Sequence, residues 1–139
     1  VTGVQSCALP IYHAALLKNN ETVVFMLAEK GLSVDARADD GNTALTMAAS
    51  RGNADAVKVL ITKGADVNSK NNIGNTPLIL SVLAESVESV KLLLDAGADI
   101  DIRNNKREQA MKLAEQSKNP SIIALISKRK KEKKLFGIF

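Results

Sequence analysis

A chain of 139 residues that is 45% apolar but only 3% aromatic has material for one domain, with a core built from Ala, Leu, Val and Ile; that favours thin, closely packed helices over a thick interior. Its single cysteine excludes a disulfide framework, and no run approaches the roughly 18–20 consecutive apolar residues of a membrane-spanning helix. The net charge of +4 is local, because Lys128 to Lys134 hold six basic residues against Glu132 and the rest of the chain is close to neutral.

The first segment, VTGVQSCALPI (1–11), follows neither the helical nor the strand period and lacks the charged start and apolar run of a secretory signal. It matches VTGVQTCALPI, the translation of a common sequencing adapter, at every position but Ser6. The expectation is that 1–11 is adapter-derived and that natural sequence begins near His13. Cys7 then leaves the inventory, and with it any thiol nucleophile or cysteine metal site. On the same reading the native N-terminus is missing, so the compartment is not legible; the cytoplasm is the expected one.

From there the chain repeats. Gly31, Gly64 and Gly97 are spaced 33 residues apart, as are Gly41 and Gly74. Aligned on them, VVFMLAEKGLSVDA, AVKVLITKGADVNS and SVKLLLDAGADIDI stack, and so do DGNTALTMAASRGN and IGNTPLILSVLAES. The units are a partial repeat at 12–38, repeats at 39–71 and 72–104, and a degenerate capping repeat at 105–127. The basic-apolar tail covers 128–139. The first unit keeps only the end of its first helix, which leaves Leu16, Leu17 and Phe25 poorly covered.

Within each repeat the residue types predict the same order of elements. Gly41 and Gly74 suit a turn with positive φ, and Thr43 and Thr76 are placed to cap a first helix. Pro77 tolerates its first turn, while Ala48 and Ala49 let neighbouring helices approach. A second helix follows, with Val57, Leu60 and Ile61 at i, i+3, i+4, matched by Val90, Leu93 and Leu94. Gly31, Gly64 and Gly97 stop the second helices. The alternating pieces Asp66–Asn68 and Asp99–Ile102 suit hairpin arms. In the last unit Gln109, Ala110, Met111, Leu113 and Ala114 keep the first-helix pattern. Asn119 and Pro120 restart a helix through Ile122, Ile123, Leu125 and Ile126. Lys130 stands where a stopping glycine is expected, so this helix runs on into the lysines. Such a unit cannot bury its own apolar face; stacking buries a continuous core.

The 33-residue period, GNTALTMAA and GNTPLILSV, then VLITKGADVN and LLLDAGADID, resemble the ankyrin repeat with its G-x-T-P-L-H-x-A-A and L-L-x-x-G-A-D-V-N patterns. The likeness covers about 13–127. The family histidine is replaced by Thr46 and Ile79 and survives only as His13, and Glu85 stands where the preceding repeat has Gly52. The resemblance implies an all-α repeat solenoid with short β-hairpin loops that binds proteins through hairpin tips and the concave first-helix surface. Carried onto this chain, the first tip offers Arg37, Asp39, Asp40 and Asn42, and the second Lys70, Asn71, Asn72, Ile73 and Asn75. The third offers Arg103, Asn104, Asn105, Lys106 and Glu108, and the concave surface Ser50, Arg51 and Leu83.

Catalytic chemistry is not legible. His13 is the sole histidine and suits a hydrogen bond in the repeat turn. Asp39, Asp40 and Asn42, like Asp99 and Asp101, lack the complete oxygen-ligand spacing of a calcium loop. Gly-Asn-Thr lacks the Gly-Lys-Ser/Thr of a phosphate loop. No enzyme activity, cofactor or metal is expected, and the expected partner is a protein. The tail KRKKEKKLFGIF reads first as a solvated helix end whose cations suit its dipole and whose apolar residues dock back. Two other readings of Lys128–Phe139 are an anionic membrane surface and a nucleic acid. A further alternative is that the chain is the C-terminal regulatory or targeting part of a larger enzyme or effector.

Overall fold

Thr43 sits in extended backbone, and its Oγ1 accepts the Thr46 N–H at 3.2 Å while Thr46 Oγ1 accepts the Thr43 N–H at 2.8 Å. This reciprocal capping box starts α1 (Ala44–Ser50), so the threonine that replaces the family histidine has a local task. Asn53 caps α2 (Ala54–Thr62) and Thr76 caps α3 (Pro77–Leu83), whose proline occupies the first turn. Ser86 caps α4 (Val87–Asp95). α5 (Ala110–Ser117) has no side-chain cap, and Gln109 instead donates to the Asp101 carbonyl at 3.0 Å. Asn119 Oδ1 accepts the Ser121 and Ile122 N–H groups at the start of α6 (Pro120–Phe136), which runs through the lysines as expected.

These six helices belong to a computed structural model that describes residues 33–136. The adapter-like segment, His13, Leu16, Leu17, Phe25 and Gly31 lie outside the described residues. α1 packs on α3 and α3 on α5, making one layer; α2 packs on α4 and α4 on α6, making a second, and each first helix lies against its own second helix. Between the layers, Leu45, Val57, Leu60, Val82, Val90 and Leu93 are fully buried. Ala48 and Ala49, also fully buried, fill the space between α1 and its neighbours without holding them apart. Ile122 and Ile126 continue the core into α6; beyond Ile126 that helix buries nothing further among the described residues.

The loops depart from the expectation in one respect. They are hairpin-shaped, yet no described residue lies in a strand. Asp66 Oδ1 accepts the Asn68 N–H and Asp99 Oδ1 the Asp101 N–H, each at 2.9 Å. These local bonds satisfy the donors a strand ladder would use. The arms are therefore turns, joined between repeats by side chain to backbone: Asp35 Oδ1 accepts from Asp66 N–H and Asn68 Oδ1 from Asp99 N–H.

Two positions in α3 and the turn after it are poorer than their counterparts. Ser81 is fully buried, and its Oγ has no partner among the described residues, where the same register elsewhere holds Ala48 and Ala114. Glu85 takes the left-handed backbone, φ 55°, that Gly52 takes at φ 63° in the preceding repeat. Restoring the simpler residue at either site is expected to stabilise. Ser81→Ala removes an unsatisfied hydroxyl, for a gain of about 1 kcal/mol. Glu85→Gly relieves left-handed strain, for a net gain of about 0.5–1 kcal/mol after the unfolded-state entropy of glycine. Urea unfolding checks both; lower midpoints for the two variants contradict the assignment.

Candidate functional site

Each first helix is preceded by a closed tip. In 38–42 the Gly41 N–H donates to Ala38 carbonyl and the Ala38 N–H to Asn42 carbonyl, both at 2.9 Å. The same pair of bonds closes 71–75 and 104–108. The tips are then stitched to one another: the Asn72 N–H donates to Asp40 carbonyl at 3.0 Å and the Asn105 N–H to Ile73 carbonyl at 3.2 Å. Asn72 Nδ2 reaches Asp39 carbonyl and Asn105 Nδ2 reaches Asn72 carbonyl, each at 3.0 Å. The tips therefore form one continuous, hydrogen-bonded edge rather than three independent loops.

This bonding divides the predicted site residues. Arg37 donates to Gly41 carbonyl at 3.0 Å and to Lys70 carbonyl at 2.6 Å. Asn42 accepts from Asn71 Nδ2 and Asn75 from Asn104 Nδ2. With Asn72 and Asn105, these residues hold the edge together. Asp40 Oδ1 accepts the Asn42 N–H, Glu108 Oε1 accepts from Asn104 at 3.2 Å, and Ser50 Oγ donates to Met47 carbonyl at 2.8 Å. Asp39 is exposed beside them. Six others, Arg51, Lys70, Ile73, Leu83, Arg103 and Lys106, are exposed, and their side chains make no hydrogen bond or ion pair to another described residue. Lys70, Ile73, Arg103 and Lys106 stand on the tips, while Arg51 and Leu83 stand at the C-terminal ends of α1 and α3.

Two further tip residues of the expected set, Asn71 and Asn104, have an internal task, and one residue outside it, Arg107, belongs here. Asn71 Oδ1 accepts the Ile73 and Asn75 N–H groups, and Asn104 Oδ1 accepts those of Lys106 and Glu108. Their side chains thus close the second and third tips from inside, a task that their 33-residue spacing repeats. Arg107 is exposed at φ 61°, in the register of Gly41 and Gly74.

The tail is attached rather than loose. Arg129 donates to the Leu94 carbonyl, and Lys133 pairs with Asp101 and, at 3.6 Å, with Asp99. Leu135 and Phe136 do not dock back; they are 65% and 74% exposed. The hydrogen bond to Asp101, with the charges of Asp101 and Asp99, raises the Lys133 pKa above its ordinary 10.5. A raised lysine pKa means that, while the carboxylates are ionised, the Lys133 pair is fully present below 10.5 and is lost as pH climbs through the higher folded value. Because Lys133 is exposed, Lys133→Ala is expected to leave the melting temperature nearly unchanged while speeding amide exchange in the last turns of α6. Unchanged exchange there contradicts the attachment.

Among the described residues no group of three or more His, Cys, Asp or Glu side chains could hold a metal ion, and no helix is long and apolar enough to cross a membrane. The family described as ankyrin repeats (three copies) matches residues 11–104. No curated protein matches the chain closely enough to count as a relative. The 33-residue period, the capped helix pairs in two layers and this match agree: the chain belongs to the ankyrin-repeat family.

Proposed function

We propose that this chain is a protein-interaction module that engages its partner through the tips and the exposed ends of α1 and α3. Ankyrin repeats are in general protein–protein interaction modules, and the family is typically a non-enzymatic binding scaffold. The observation that carries the finer reading is the exposure of Ile73, at 61%, and Leu83, at 54%, beside basic side chains that have no partner among the described residues. Interface energy concentrates in a few anchors, with arginine enriched among them. A standard interface needs roughly 800 Å² per side, which several adjacent repeats supply and one does not.

The test is alanine substitution against a partner selected on the folded chain. Arg51→Ala, Leu83→Ala or Arg103→Ala, at least one of them, is expected to weaken binding by more than about 1 kcal/mol with an unchanged melting temperature. Arg37→Ala is a poorer probe, since it leaves two backbone carbonyls without their donor and lowers stability as well. Lys58→Ala and Lys91→Ala, on exposed positions of α2 and α4, are expected to be near neutral. Critical lysines with all three of the other substitutions silent would sink the proposed face.

A further inference from the structure

We infer that the last tip, with Arg103, Lys106 and Arg107 next to Ile73 of the preceding tip, docks an acidic segment of a partner protein. The inference rests on the interaction-module reading above and gives that partner a chemistry.

Gly41, Gly74 and Arg107 occupy one register position, and all three have positive φ, at 76°, 78° and 61°. At the two glycines a Cβ is sterically excluded. It would lie 2.4 Å from Asn72 Oδ1 at Gly41, and 2.6 Å from Asn105 Oδ1 at Gly74, with the backbone nitrogens of those asparagines at 2.9 and 2.7 Å. Each is covered by the tip that follows. Among the described residues no further tip follows Arg107, so a side chain fits there and is exposed. The backbone conformation remains one that side-chain-bearing residues resist. Glycine would serve stability better, yet the position carries an exposed guanidinium with no intramolecular partner among the described residues. Glu85 and Lys118 share this left-handed backbone; what sets Arg107 apart is its place on the last tip, where its guanidinium is exposed within a few residues of Arg103 and Lys106.

Charge and apolarity around it specify the ligand. Along the edge, the first tip sets Arg37 against Asp39 and Asp40, the second has Lys70 alone, and the third has Arg103, Lys106 and Arg107. The one carboxylate of that third tip, Glu108, is half-buried and engaged by Asn104. Positive charge thus collects at one end of the edge. Ile73 stands in register with Lys106, and its carbonyl accepts the Asn105 N–H. Two guanidinium groups and an ammonium offer charge-assisted, partly bidentate bonds to carboxylates, and Ile73 offers an apolar anchor within the same patch. A nucleic acid would find charge here but no stacking platform, because none of these tip residues is aromatic. An acidic peptide containing an aliphatic residue fits both features.

Fluorescence anisotropy with a labelled peptide, Glu-Asp-Glu-Leu-Leu-Asp-Glu-Asp, and a labelled oligothymidylate of similar charge tests this on the full chain. The peptide is expected to bind, and to bind less tightly as salt rises. Arg107→Gly is expected to weaken binding by about fivefold or more, with a melting temperature equal to or above the parent's. Arg103→Ala and Ile73→Ser should weaken it too, and Lys58→Ala should not. No binding of the peptide by the parent, unchanged binding by Arg107→Gly, or tighter binding of the oligothymidylate each overturns the inference. If Arg107→Gly and Arg103→Ala are silent while Arg51→Ala and Leu83→Ala weaken binding, this inference falls and the interaction face stands. If Lys58→Ala or Lys91→Ala abolishes binding, both fall.

Discussion

Leu93→Ala is expected to lower the free energy of unfolding by about 2–5 kcal/mol, and Leu60→Ala by a similar amount. The two leucines are fully buried, one repeat apart, on helices α4 and α2 that pack against each other. Truncating either removes apolar contact on both sides of a repeat boundary and leaves a cavity that backbone stitched at the tips cannot readily close. In a linear stack, stability is a sum of repeat and interface contributions, so weakening one interface also threatens cooperativity. Against a total of about 5–15 kcal/mol for a typical domain, either change is a large fraction. Denaturant unfolding followed by circular dichroism reads the loss. Variants that unfold with the parent's midpoint would show that the core does not run between these helices.

Gly74→Ala is expected to destabilise by about 2–4 kcal/mol, combining left-handed strain with displacement of a hydrogen-bonded neighbour. The added Cβ would stand 2.7 Å from the Asn105 backbone nitrogen and 3.1 Å from the Asn104 carbonyl carbon. Backbone cannot rotate away as a side chain can, so the bond between Asn105 and Ile73 has to shift. Gly64→Ala provides the control. Gly64 has φ 87°, yet nothing lies within 4 Å of a Cβ built there. Only the conformational cost remains, about 1–2 kcal/mol. The difference between the two losses measures how tightly successive tips are joined; equal losses contradict the close approach.

The parts of the fold that were legible in the sequence are those where one residue type answers one local physical demand. Thr43 and Thr76 cap helices, Gly64 and Gly97 take left-handed backbone after them, and Val57, Leu60, Val90 and Leu93 fill a helical stripe. The period of 33 then tied these local readings into one register. The arms were less legible because Asp66–Asn68 carries two signals at once. Its alternation suggests a strand, whereas its Asp offers the backbone a local acceptor, and the local bond prevails.

The candidate site was legible in position but not in use. A sequence places Arg37 on a tip; it does not show that the guanidinium is committed to the carbonyls of Gly41 and Lys70. Asn71 and Asn104 look like ordinary solvated tip residues until their four accepted backbone bonds are seen. Arg107 escaped because its register position is glycine in the preceding repeats, and only the structure shows that a following tip covers those glycines and not the arginine. At the far end, a missing stop glycine correctly announced a longer α6. The exposure of Leu135 and Phe136 could not be read, since it depends on where the helix leaves the stack.

The most direct measurement of the central claim is an amide NMR titration of the isotope-labelled chain with a selected protein partner. Shifts and line broadening are expected to concentrate at Arg51, Ile73, Leu83, Arg103 and their neighbours, with Lys58 and Lys91 undisturbed. Perturbation centred on the exposed faces of α2 and α4, with the tips silent, would contradict it.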